Sequence, residues 1–127
     1  MTQQERFTIA TSEAPGAIGP YSQAVQIGNV LITSGQLGMN AAGEFPRTVE
    51  EQTERSLLNV KAILESAGFG MENIIKTTVF LQDMNDFQKV NEVYATFFAE
   101  PYPARSAVQV AKLPKGGLVE IEVIAVK

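Results

Sequence analysis

The stretch LVEIEVIAV, Leu118 to Val126, constrains this chain more than any other. Side chains alternate between the two faces of a β-strand. Read as a strand, it puts Val119, Ile121, Val123 and Ala125 on one side, a clean core face. Leu118, Glu120, Glu122, Ile124 and Val126 fall on the other. That second side mixes two carboxylates with three aliphatic groups, so it is neither core nor ordinary wet surface.

What covers each side follows from the rest of the chain. Its 127 residues suit a single domain, 1–127. Arg6 to Ala10 reads as an edge strand, and Thr11 to Pro20 as a loop punctuated by Gly and Pro. Ser22 to Ile27 and Val30 to Gln36 read as strands flanking Gly28-Asn29. That pair signals a hairpin of type II′, with type I′ as the alternative. Thr48 and Glu51 have capping-box spacing. Leu57, Val60, Ile63, Leu64 and Ala67 then form an apolar stripe at helical period, and Gly68 ends the helix. Asn73 to Gln82 is rich in β-branched residues and reads as a strand. Asp83 to Phe98 reads as a second amphipathic helix with the stripe Phe87, Val90, Tyr94, Phe97 and Phe98. Pro101 and Pro103 prevent its continuation. Strands over Ala104 to Val110 and Leu118 to Val126 close the chain, with Lys115-Gly116-Gly117 turning between them.

The order βββ-α-β-α-ββ predicts an α+β fold with a sheet of about six strands and two helices on one face. Two helices cover only one face of such a sheet. The half-apolar second face would be a large exposed patch, which marks an interface. A homo-oligomer with sheets facing one another is therefore expected.

Arg105, in PYPARSAVQV, is the residue that fits this scheme least. It shares a strand face with Ala107 and Gln109, opposite Ser106, Val108 and Val110. A hairpin between the last two strands would gather Arg105, Gln109, Glu120 and Glu122 on the second face. An arginine in such a place needs a partner, and an ion pair with Glu120 or Glu122 is the one this strand pairing offers.

Absences narrow the chemistry. The chain has no histidine and no cysteine. Ser-His-Asp and Cys-His nucleophilic arrangements are excluded, and ordinary zinc sites lose both preferred ligands. Carboxylates, lysines, tyrosines and water remain for proton transfer. The formal net charge is -4 and the ten Lys and Arg residues are scattered. No general grip on nucleic acid is expected. No apolar run is long enough to span a bilayer, and MTQQERFTIA does not read as a secretory signal. A cytoplasmic protein is expected.

Five stretches together resemble the YjgF/RidA family: AIGPYSQAV, ITSGQ, SLLNVKAILESAG, IIKTTVFLQDMNDFQKVNEVY and PARSAVQVAKLPKGGLVEIEVIAV. The resemblance covers nearly the whole chain, and the combination PARS, LP and VEIEVIAV is its specific part. It implies a chorismate-mutase-like fold of the bacillus type and a homotrimer with clefts between subunits. It also implies hydrolysis of reactive enamine or imine intermediates, of the 2-aminoacrylate and 2-iminobutanoate type, to 2-oxo acids and ammonia. No metal or organic cofactor is implied. Arg105 then stands where the family binds a substrate carboxylate, and a guanidinium fork matches that group. Glu120 stands where the family positions the attacking water. Glu122 has no direct role there and reads as structural or interfacial. The pair Glu120 and Glu122 is a weak signal for Mg²⁺.

Tyr21, Ser34 and Gly35 match positions that line the family's cleft. Tyr21 closes over substrate or packs the loop, and Ser34 serves as a hydrogen-bonding group because no base is present to activate it. Asn91 lines the cleft or sits at the trimer border. Many relatives have cysteine where this chain has Ala107. The backbone carbonyl that matters there is retained, but thiol chemistry is not. The segment FFAEPYPARS is shorter than in many relatives and borders the cleft, which bears on substrate preference. Two other classes stay open: a non-catalytic trimer that binds 2-oxo or amino acids, and a ribonuclease or translation inhibitor, against which the acidic charge balance and the lack of histidine and of a basic patch speak. A holdase-like chaperone is a third, arguable only from exposed apolar surface.

Overall fold

Gly28, at φ +58°, turns strand β2 (Ala24–Ile27) back onto β3 (Val30–Thr33), pairing Ile27 with Val30. Asn29 keeps a negative φ, so only the first turn position is left-handed, as type II′ requires. The computed structural model describes residues 5–127. The other elements are β1 (Arg6–Ile9), β4 (Gln36–Leu37), α1 (Val49–Ser66), β5 (Ile74–Leu81), α2 (Phe87–Ala95), β6 (Ala104–Gln109) and β7 (Val119–Val126). They form an α+β fold whose seven-stranded sheet has the order β1-β2-β3-β7-β5-β6, with β4 also paired to β7. The seventh strand arises because the stretch expected to run from Val30 to Gln36 breaks at Ser34-Gly35. None of the helices is long and apolar enough to cross a membrane among the described residues.

Helix α1 begins and ends where its local signals lie. The Thr48 hydroxyl accepts from the Glu51 N–H at 3.1 Å. Gly68 takes φ +80°, and the N–H groups of Gly68 and Phe69 close back on the carbonyls of Glu65 and Leu64. Leu57, Val60, Ile63 and Leu64 are fully buried. A second, polar row on the same helix is also buried. The Ser56 hydroxyl donates to the Gln36 carbonyl at 2.7 Å, and Asn59 Nδ2 donates to the carbonyls of Leu37 and Met39. Gln52 accepts from the Leu118 N–H and donates to the Pro46 carbonyl. A β-carbon on Gly38 would stand 2.2 Å from the Gln52 carbonyl oxygen, so glycine lets β4 and its loop lie directly on the helix.

The second helix is shorter than expected. Asp83 accepts from the Asn85 N–H and starts a 3-10 turn, and the α-helix proper runs only over Phe87–Ala95. Beyond it the Phe97 N–H reaches the Tyr94 carbonyl in tighter 3-10 fashion. Phe97 and Phe98 still pack on the core.

The expected hairpin between the last two strands does not form. Strand β5 lies between them, pairing with β6 in parallel and with β7 antiparallel. The reason is topological: β5, α2 and β6 form a strand–helix–strand unit, which closes as a parallel pair with its helix over the sheet. Register then reverses the expected facing of β6. Thr77 pairs with both Arg105 and Val123, so Arg105 points to the helix-covered side. Ser106 and Val108 join Glu120 and Glu122 on the other side. That other side carries Ile27, Val30, Ile32, Val108 and Ile124, each between 37% and 48% exposed, with no element of the described chain over it.

Candidate active site

The break in the sheet at Ser34-Gly35 makes room for Glu120. The Ser34 N–H donates to the Gln23 carbonyl at 2.9 Å and its hydroxyl to the Ser22 carbonyl at 2.6 Å. These bonds end β3 and begin an offset that is resumed at β4. Glu120, paired with Phe80 on β5 and Leu37 on β4, faces a cleft of about 530 Å³. Tyr21, Ser34, Gly35, Gln36 and Lys115 share its lining.

Burial raises the Glu120 carboxyl above its ordinary range, and the charge of Glu122 adds to the rise. A carboxylate tuned this way accepts a proton from water more readily and can return it to a leaving group. Gly35 fixes its position. A β-carbon there would stand 2.5 Å from Glu120 Oε1 and 2.7 Å from Cδ. Gly35→Ala is therefore expected to push the carboxylate aside while leaving the fold intact. A displacement of about 1 Å at a reacting group lowers turnover on the order of 100-fold. Steady-state kinetics beside a thermal melt reads both halves of that prediction.

Tyr21 stands 54% exposed at the cleft mouth, on a loop held from beneath. Buried Gln23 does the holding. Its Nε2 donates to the carbonyls of Thr11 and Pro15, and its Oε1 accepts from the Thr11 N–H at 2.7 Å. Nothing in the sequence marks Gln23, because a glutamine at the start of a strand carries no local signal, and Lys115 reads there only as part of a turn. Lys115 adopts φ +57°, and this left-handed conformation places it at the cleft rim.

Arg105 belongs to a different place. Its guanidinium lies 5.3 Å from the ring centre of Phe87 and 4.8 Å from that of Tyr94, and its Nη1 donates to Asn91 Oδ1. All three partners are on α2. Asn91, Tyr94, Ala95, Tyr102, Pro103 and Arg105 line a hollow of about 440 Å³. Strand β6 is the sheet's edge. The Val110 N–H donates inward to the Leu81 carbonyl. By alternation, the backbone groups of Arg105, Ala107 and Gln109 point outward to the open edge.

The two charged residues do not meet within one chain. They are separated by two strand spacings and three residues along the strands, roughly 14 Å between Cα atoms on sheet geometry. They also face opposite sides of the sheet. The ion-pair alternative for Arg105, with Glu120 or Glu122, is thereby overturned: its side-chain hydrogen bond goes to a neutral amide.

Fold and cleft define a small α+β domain with a half-buried carboxylate in one cleft and an exposed guanidinium beside a second hollow. The model of the family described as Endoribonuclease L-PSP matches residues 11–127, and the chain belongs to this family, the YjgF/RidA family. It is 55% identical over 124 residues to the 2-iminobutanoate/2-iminopropanoate deaminase of Escherichia coli K12, covering 94% of this chain and 97% of that protein. It is 50% identical over 129 residues to the protein of the same name from Bos taurus, covering 100% and 94%. The crystal structure of E. coli TdcF with bound serine superposes with a TM-score of 0.92 at 52% identity, covering 95% of this chain and 98% of that one.

Proposed function

We propose that this protein is a cytoplasmic 2-imino acid deaminase, active as a homotrimer in which Arg105 of one copy faces the Glu120 cleft of the next. One observation carries the assembly: the two charged groups this chemistry needs, half-buried Glu120 and exposed Arg105, lie on opposite faces of one chain. The uncovered apolar face, flanked by both half-sites, supplies the surface for docking copies. The names of the relatives support the substrate class. Serine, the ligand in the TdcF structure, carries nitrogen and carboxylate on one carbon as a 2-imino acid does.

The reaction is R–C(=NH)–COO⁻ + H₂O → R–C(=O)–COO⁻ + NH₃. The Arg105 fork receives the carboxylate through parallel charge-assisted hydrogen bonds. This turns the imine carbon toward water held by Glu120. As the water oxygen bonds to that carbon, Glu120 takes one water proton and passes it to the imine nitrogen, giving a carbinolamine. Glu120 then takes the carbinolamine hydroxyl proton and gives it to the nitrogen, which leaves as ammonia while the C–N bond breaks and the carbonyl forms. The outward carbonyl of Ala107 is placed to accept from the substrate nitrogen or the water. Tyr21, Ser34 and Gly35 shape the opposite wall. No cofactor is required, because the imine is itself electrophilic and orientation with proton transfer supplies the acceleration. RNA cleavage, suggested by the family description, lacks both a basic patch and a histidine in this sequence.

Mixing chains tests the shared site. Arg105→Ala and Glu120→Gln proteins are each expected to be inactive. Co-refolded in equal amounts, they should recover about one quarter of wild-type activity, since each mixed trimer holds one intact site of three. Ammonia release is the readout. Activity at the level of the separate proteins would overturn the shared site. Binding of 2-oxobutanoate by the wild type with no ammonia release from imines would leave a binding module.

A further inference from the structure

Arg105 sits on an edge strand with its side chain exposed, where a long cation would ordinarily sample many rotamers. Here its head group is held at three points by one helix. Phe87, Asn91 and Tyr94 are spaced i, i+4 and i+7 on α2, which places them on one helical face. The two rings pack on the guanidinium and Asn91 takes one of its five N–H donors. Tyr94 is itself immobilised. It is 6% exposed, its hydroxyl hydrogen-bonds fully buried Thr77 at 2.8 Å, and its ring lies 4.5 Å from that of Phe98.

We propose that Phe87, Asn91 and Tyr94 form a clamp that presets the Arg105 guanidinium in its carboxylate-receiving geometry, acting as positioning residues that do not themselves need to touch substrate. This rests on the reading of Arg105 as the carboxylate anchor. The partners chosen suit that task. A carboxylate at position 91 would occupy the fork that the substrate needs, whereas an amide oxygen orients the guanidinium and leaves its other donors free. Aromatic faces attract the cation without using any hydrogen-bond donor. The clamp therefore holds the group firmly and leaves it chemically available.

The test compares Asn91→Asp and Phe87→Leu with wild type, with 2-oxobutanoate binding by calorimetry, KM and kcat on 2-iminobutanoate, and thermal melts. Asn91→Asp is expected to raise KM and weaken 2-oxobutanoate binding at least tenfold, with kcat falling less and the melting temperature unchanged or raised. Phe87→Leu should raise KM several-fold. Tyr94→Leu should do the same, and Tyr94→Phe, which keeps the ring, should restore most of that loss. A double-mutant cycle separates clamping from direct repulsion of the ligand. In an Arg105→Ala background, Asn91→Asp should weaken binding little further. If it weakens binding equally in both backgrounds, the clamp is overturned in favour of direct contact. If Asn91→Asp and Phe87→Leu leave KM and binding at wild-type values while Arg105→Ala weakens them, the clamp fails and the anchor stands. If Arg105→Ala itself leaves binding unchanged, the anchor fails.

Discussion

Replacing Glu120 by glutamine is expected to remove turnover, by on the order of 10² to 10⁴-fold in kcat, the range that a positioned acid–base group contributes. The same change should not lower thermal stability at neutral pH. Burial and the neighbouring Glu122 raise the folded-state pKa of Glu120 above its unfolded value. The folded protein therefore holds this proton more tightly than the unfolded chain does. The favourable contribution is present in full below the unfolded pKa, about pH 4, and is lost as pH rises through the folded pKa. Glutamine removes the ionisation and keeps the shape. Melts of wild type and variant from pH 4 to pH 8 should diverge as pH rises, with the variant the more stable at the alkaline end. An inactive variant that also melts markedly lower at pH 8 would mean that the carboxylate is structural.

Replacing Arg105 by alanine is expected to lower kcat/KM by roughly 10² to 10⁴-fold, the effect of losing two hydrogen bonds to a charged group at about 1.5–3 kcal/mol each. Lysine should recover little. It keeps the charge but loses the planar fork and the stacking on Phe87 and Tyr94. Because the side chain lies on the surface of its own chain and forms no ion pair with that chain's Glu120 or Glu122, neither change should move the melting temperature by more than a few degrees. Full turnover of 2-iminobutanoate by Arg105→Lys would sink the fork assignment.

What the sequence revealed depended on how local the governing interactions are. The ends of α1 were legible because Thr48, Glu51 and Gly68 act within one turn of the residues they cap. The Gly28 hairpin was legible for the same reason. The uncovered, half-apolar face was readable from the alternation in Val119–Val126 and the count of helices. The pairing of β6 is not legible locally, because the turn signal at Lys115–Gly117 points to a hairpin while the strand–helix–strand order before it dictates a parallel pair with β5. The hairpin places Arg105 on the uncovered face; the parallel pair places it on the helix-covered one. The break at Ser34-Gly35 was read as strand because ITSG has strand composition, and only the later contact with Glu120 explains it. The short span of α2 was hidden because the apolar period continues through Phe97 and Phe98 after the helical hydrogen bonds have ended.

The polar row on α1 sets a limit on how this domain can be improved. A designer scoring the buried face of the helix would mark Gln52, Ser56 and Asn59 as flaws and fill them with leucine. Each is instead tied to backbone in the cleft wall or its supports. Asn59→Leu would leave the carbonyls of Leu37 and Met39 without that donor and force a larger side chain against them. The residues that look most replaceable on grounds of hydrophobicity are those that fasten the helix to the wall of the Glu120 cleft and to the backbone beside it. Stability engineering in this scaffold should begin elsewhere, on the exposed side of α1, where substitutions touch neither Gln36 nor Gly38.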